Sequence, residues 1–177
     1  MEIDTSCGEI VEKMRKINLV GDGGVGKTVF LERHATGQFE HRYIATESRE
    51  LEVCPLRVQT STGLHVVYNM WDCAGQEKYD PMRATTTWAG SDGFMVMFDL
   101  TNLSSYKSAE WWIGQVRASN PTVPIVLVGM KSESPARKLT HSQVSLHTKF
   151  GLQYIEVSSK TNANTAPFEC LERLFIH

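Results

Sequence analysis

The sequence predicts an α/β fold of three layers: a six-stranded, mostly parallel sheet with one antiparallel strand and helices on both faces. Three observations carry that expectation. Short β-rich runs at 16–20, 50–60, 64–71, 93–99, 124–129 and 152–157 alternate with helical stretches near 27–36, 103–119, 140–149 and 165–176. Such alternation calls for parallel strands covered by helices. The runs Phe94-Met95-Val96-Met97-Phe98-Asp99-Leu100 and Pro124-Ile125-Val126-Leu127-Val128-Gly129 are apolar at nearly every position, as central strands buried on both sides require. The runs 50–60 and 64–71 are joined only by Ser61-Thr62-Gly63. That link is too short for a crossover, so this pair forms an antiparallel hairpin.

Taken in order, residues 1–14 are mixed and mostly polar and read as a loose extension, with one folded domain at 15–177. The first apolar run leads directly into Gly21-Asp22-Gly23-Gly24-Val25-Gly26-Lys27-Thr28, a complete G-x-x-x-x-G-K-T match. Glycines let backbone N–H groups approach phosphate oxygens, and the helix from Lys27 points the positive end of its dipole at them. Asp22, Gly23, Gly24, Val25, Gly26, Lys27 and Thr28 are therefore expected to wrap a polyphosphate. Lys27 would reach the β- and γ-phosphates, and the Thr28 hydroxyl would ligate Mg²⁺. The polar stretch 37–48 would lie near the nucleotide. A less regular segment occupies 80–89, and no internal repeat or low-complexity segment is visible.

Composition narrows the partners. The 177 residues carry a formal charge of −2, which implies no general attraction to nucleic acid or anionic membrane. Cys7, Cys54, Cys73 and Cys170 are scattered without a C-x-x-C pair and read as reduced thiols of a cytosolic or nuclear protein. No apolar run approaches the ~18 residues of a membrane span. Neither a signal peptide nor a lipid anchor is expected: residue 2 is Glu, and Leu174-Phe175-Ile176-His177 offers no prenylatable cysteine.

At the end of the hairpin's second strand stands Trp71-Asp72-Cys73-Ala74-Gly75-Gln76-Glu77-Lys78. An acidic residue closing an apolar strand is placed to hold Mg²⁺ through water, which assigns Asp72 to the metal. Gly75 can offer a backbone N–H to a γ-phosphate, and Gln76 can orient an attacking water.

These motifs resemble those of the Ras-superfamily small GTPases, and within it most closely the Ran, or nuclear-transport, branch, from about Lys16 to Phe175. Arg33-His34-x-Thr36-Gly37-x-Phe39-Glu40, Tyr43-Ile44-Ala45-Thr46, Met97-Phe98-Asp99 and Leu152-Gln153-Tyr154 share in the likeness. The resemblance implies a P-loop NTPase G domain that binds GTP or GDP with Mg²⁺ and hydrolyses GTP slowly as a switch. Lys27 and Gln76 would be catalytic, Thr46 would join Thr28 and Asp72 around the metal, and Phe39 would pack against the guanine edge. An exchange factor, an activating protein and transport receptors are the implied partners. The implied state is a monomer shared between cytoplasm and nucleus.

The chain departs from that family where the base is read. The family's Asn-Lys-x-Asp stands here as Met130-Lys131-Ser132-Glu133, and its Ser-Ala-Lys as Ser158-Ser159-Lys160. Lys131 can lay its stem over the base, Glu133 keeps a carboxylate one methylene further out, and Met130 lacks the amide. The Ser159 backbone N–H can still meet the guanine oxygen. Arg137, Lys138 and Lys149 match a basic surface of the Ran branch, whereas Thr140, Ser142, Thr148 and Phe150 replace its other cations. The segment 46–55 is longer than in that branch. Two other readings stay open: a nucleotide-binding scaffold held in one state with relaxed guanine selection, and a nucleotide kinase. The Asp-x-x-Gly-Gln motif and the lack of an arginine-rich lid weigh against the kinase.

Overall fold

The computed structural model describes residues 13–36, 52–59, 65–73, 86–161 and 166–175. Their strands form one six-stranded sheet: β1 (Lys13–Val20), β2 (Glu52–Gln59), β3 (His65–Asp72), β4 (Gly93–Asp99), β5 (Ile125–Met130) and β6 (Gln153–Val157). The helices are α1 (Lys27–Thr36), α2 (Leu103–Ser119), the short α3 (Leu146–Phe150) and α4 (Ala166–Phe175). The spatial order is β2-β3-β1-β4-β5-β6. β1 runs parallel to both of its neighbours, and β2 alone is antiparallel, paired to β3 from Glu52↔Asp72 to Gln59↔His65. Pro55 lies in β2, tolerated because an edge strand can do without one ladder N–H.

Side chains alternate across the sheet with the period of two that pleating imposes. Phe94, Val96 and Phe98 of β4 face the layer containing Ala109, Trp112, Ile113 and Val116 of α2. Met95 and Met97 face the opposite layer, where Phe30 and Leu31 of α1 meet Phe168 and Leu171 of α4. Every residue of β4 and β5 is buried, so the apolar runs of the sequence are the two-sided centre of the molecule. The carboxyl ends of β1, β3, β4, β5 and β6 point toward one end of the sheet, where a ligand belongs in such a fold.

Two elements differ from expectation. β1 begins at Lys13 instead of residue 16, because pairing with β3 already starts at Lys13↔Val66. The helix expected at 140–149 is instead a 3₁₀ turn at His141–Gln143 followed by α3. The Gln143 side chain bonds back to the Thr140 N–H at 2.9 Å. The Tyr106 hydroxyl, from α2, accepts from the Ser145 and Leu146 N–H groups at 2.8 and 3.2 Å. A continuous helix would use those same donors internally, so the tyrosine splits it. Residues 86–88 form a short helical turn; residues 80–85 and the stretch 37–48 lie outside the described residues.

Candidate nucleotide site

The loop between β1 and α1 takes its shape from close contact with β4. Gly21 has φ +150°, and a Cβ there would stand 2.2 Å from the Met97 carbonyl oxygen. Any side chain would push the loop off the sheet. Gly26, at φ +108°, makes the turn into α1. Val25 is buried and anchors the loop to the core shared with Phe30 and Met130. Lys27 is only 5 % exposed, and its ammonium donates to the Gly21 carbonyl at 2.7 Å and the Asp22 carbonyl at 3.0 Å. A buried ammonium needs such partners, and here they fix a positive charge inside the loop. The first turn of α1 holds no acidic residue, so its positive dipole end is left for an anion.

The Thr28 hydroxyl donates to Asp72 Oδ2 at 2.5 Å. This bond joins the first turn of α1 to the last residue of β3, which is 4 % exposed. A hydroxyl and a carboxylate side by side beside a phosphate loop are hard oxygen ligands of the kind Mg²⁺ prefers. The residues therefore fit the metal: Thr28 and Asp72 would hold it, and the ion would neutralise charge on a bound triphosphate.

The residues expected to read the base gather at the ends of β5 and β6, where Met130 pairs with Val157. Met130 is 1 % exposed, and its Cε lies 3.5 Å from where a Cβ on Gly26 would stand. Its thioether thus packs under the phosphate loop as part of the core. Lys131 adopts a left-handed φ of 61°, and its ammonium reaches Asp99 Oδ2 at 2.6 Å and the Gly24 carbonyl at 3.4 Å. The lysine therefore spans from β4 to the loop crest. Glu133 and Lys160 are exposed, while Ser158 and Ser159 are buried. The Ser158 hydroxyl accepts from the Thr161 N–H at 3.0 Å. Phe39, Thr46, Gly75 and Gln76 lie outside the described residues.

Two residues escaped the sequence reading. Asp99 closes the apolar run of β4 as Asp72 closes that of β3, so the same signal was present. Its carboxylate takes the Lys131 ammonium and also the Thr101 N–H and hydroxyl at 2.8 and 2.7 Å. Trp112, on the buried face of α2, donates its indole N–H to Asp22 Oδ1 at 3.0 Å; nothing local in the sequence marks it.

A family model described as Ras family matches residues 16–174. The chain belongs to the Ras family. That match covers the sheet from residue 16 onward, the phosphate loop and both segments expected to read the base. It identifies the chain as a small GTPase switch, of a family that binds GTP or GDP with Mg²⁺ and meets exchange factors and activating proteins.

Proposed function

We propose that this Ras-family chain is a Ran-like switch in nucleocytoplasmic transport, active as a monomer in both nucleus and cytoplasm. On this reading it hydrolyses GTP slowly and depends on an activating protein. The observation that carries the switch reading is the pairing of a caged Lys27 with the Thr28–Asp72 contact. One corner of the molecule thereby offers a fixed cation and two oxygen ligands to a Mg²⁺-bound triphosphate. The Ran-like reading is supported by the motifs from Arg33 to Glu40, at Tyr43-Ile44-Ala45-Thr46 and at 71–78. The same reading assigns receptor binding to the basic surface. Of the matching cations, Arg137 is engaged by Glu156 and Lys149 by Glu110.

Ile44 and Ala45 precede Thr46, so the chain supplies no arginine of its own at the place where self-sufficient enzymes carry one. Single-turnover hydrolysis without a partner should therefore run on the order of 10⁻⁴ s⁻¹, the scale of Ras itself. A rate near or above about 10⁻² s⁻¹ refutes dependence on an activator. In the presence of a cognate activator, Gln76→Leu should abolish the stimulated rate while leaving GTP affinity nearly unchanged, since Gln76 acts on the water. A second reading, a scaffold with relaxed guanine selection, is favoured by one observation: Met130 is apolar and lies in the core.

A further inference from the structure

An aspartate in a phosphate loop poses an electrostatic problem. Asp22 occupies the second position of a loop built to surround a polyanion, and a carboxylate swinging toward the phosphates would repel them at short range. Its backbone is already committed to the cation, because the Asp22 carbonyl accepts from Lys27 Nζ at 3.0 Å. Its side chain extends to α2, where Asp22 Oδ1 accepts from Trp112 Nε1 at 3.0 Å. Trp112 is fully buried. It is packed edge-on against Trp111, with ring centroids 4.9 Å apart, and against the tilted ring of Trp88 at 6.4 Å. The donor is therefore rigid, and a hydrogen bond to a charged acceptor is stronger than one between neutral groups.

We propose that Trp112 is a positioning residue of the phosphate loop. Its indole N–H holds the Asp22 carboxylate toward α2 and off the phosphate-binding side, and so lengthens the time a nucleotide stays bound. The inference rests on the loop binding a nucleotide, as proposed above, and adds a determinant of dwell time contributed by the buried face of α2.

The test is a double-mutant cycle on release of fluorescent GDP, with Trp112→Phe keeping aromatic bulk and Asp22→Asn removing charge. Trp112→Phe in the otherwise native chain should speed release about tenfold, the size of one lost charge-assisted bond. In the Asp22→Asn background the same change should have little further effect, because no carboxylate is left to turn. Equal acceleration in both backgrounds, or none in either, overturns the proposal. An independent arm needs no nucleotide and no change at the tryptophan: the ¹H–¹⁵N indole resonance of Trp112 should shift on Asp22→Ala. An unmoved resonance also overturns it. A chain that retains no nucleotide refutes the functional reading, yet still shows the resonance shift if the contact is as described.

Discussion

The phosphate end and the base end of the site are built on different terms. At the phosphate end the polar groups meet one another across elements: Lys27 caps two loop carbonyls, and Thr28 meets Asp72. The loop is thus preassembled, and binding needs little reorganisation. At the base end, the residue where the family pattern has an amide is a methionine under the loop floor, and Lys131 is drawn to Asp99. Glu133, the only acidic residue of that segment, is exposed. Holding a nucleotide and choosing its base should therefore be separable in this chain. The first rests on main-chain geometry and charge, the second on a few side chains.

The largest effect is expected when a polar contact at the phosphate end is removed. Thr28→Asn takes away a hydroxyl next to Asp72 and disturbs the first turn of α1. Affinity for Mg²⁺–GTP should fall about 100-fold, with the loss much smaller for GDP or in chelator. Equilibrium titrations with and without Mg²⁺ check this, and an equal loss under both conditions would remove Thr28 from the metal site.

The weak half can be sharpened instead. Met130→Asn with Glu133→Asp restores the family's side chains at the base end. GDP release should slow by roughly 5- to 150-fold, the equivalent of about 1–3 kcal/mol. Stopped-flow release reads this directly, and an unchanged rate would show that these positions do not read the base. Met130 sits against Gly26, so the smaller amide also leaves core volume unfilled. Thermal stability should fall in the same variant even as the nucleotide dwells longer.

The smallest effect is expected at an ion pair on β6. Arg137 grips Glu156 through two bonds of 2.7 and 2.6 Å, and the Tyr154 hydroxyl donates to the same carboxylate at 2.8 Å. Burial pushes the Glu156 carboxyl up. The bonds from Arg137 and Tyr154, the Arg137 charge and the His141 contact outweigh burial and hold it below the usual range. A depressed carboxyl stabilises the fold above its unfolded value, and that stabilisation is lost as pH falls through the folded value. Glu156→Gln should cost about 1 kcal/mol at neutral pH, and denaturant midpoints of variant and parent should converge in acid. Nucleotide affinity should not change.

How much of this was legible follows from how far each contact reaches along the chain. The limits of α1 and α2 were readable because a glycine loop starts one and an apolar period runs through the other. The split at 140–149 was not, since the tyrosine that causes it lies some 39 residues away on α2. Within the site, the spacing of a motif points to the loop residues and Asp72, and the structure brings Thr28 and Asp72 into contact. Asp99 and Trp112 act across 32 and 90 residues, and no local pattern marks an indole that faces the loop. Met130 was noticed as a substitution, but its burial emerged only once β5 was placed beneath Gly26.

Competition for bound fluorescent GDP by GTP and ATP in the native chain, with Mg²⁺ present, tests the division between the two ends most directly. The account predicts that both triphosphates displace the probe, through the phosphate contacts they share, and that GTP does so at lower concentration than ATP. Displacement by ATP as readily as by GTP would contradict residual base selection. Failure of both triphosphates to displace the probe would contradict the preassembled phosphate loop itself.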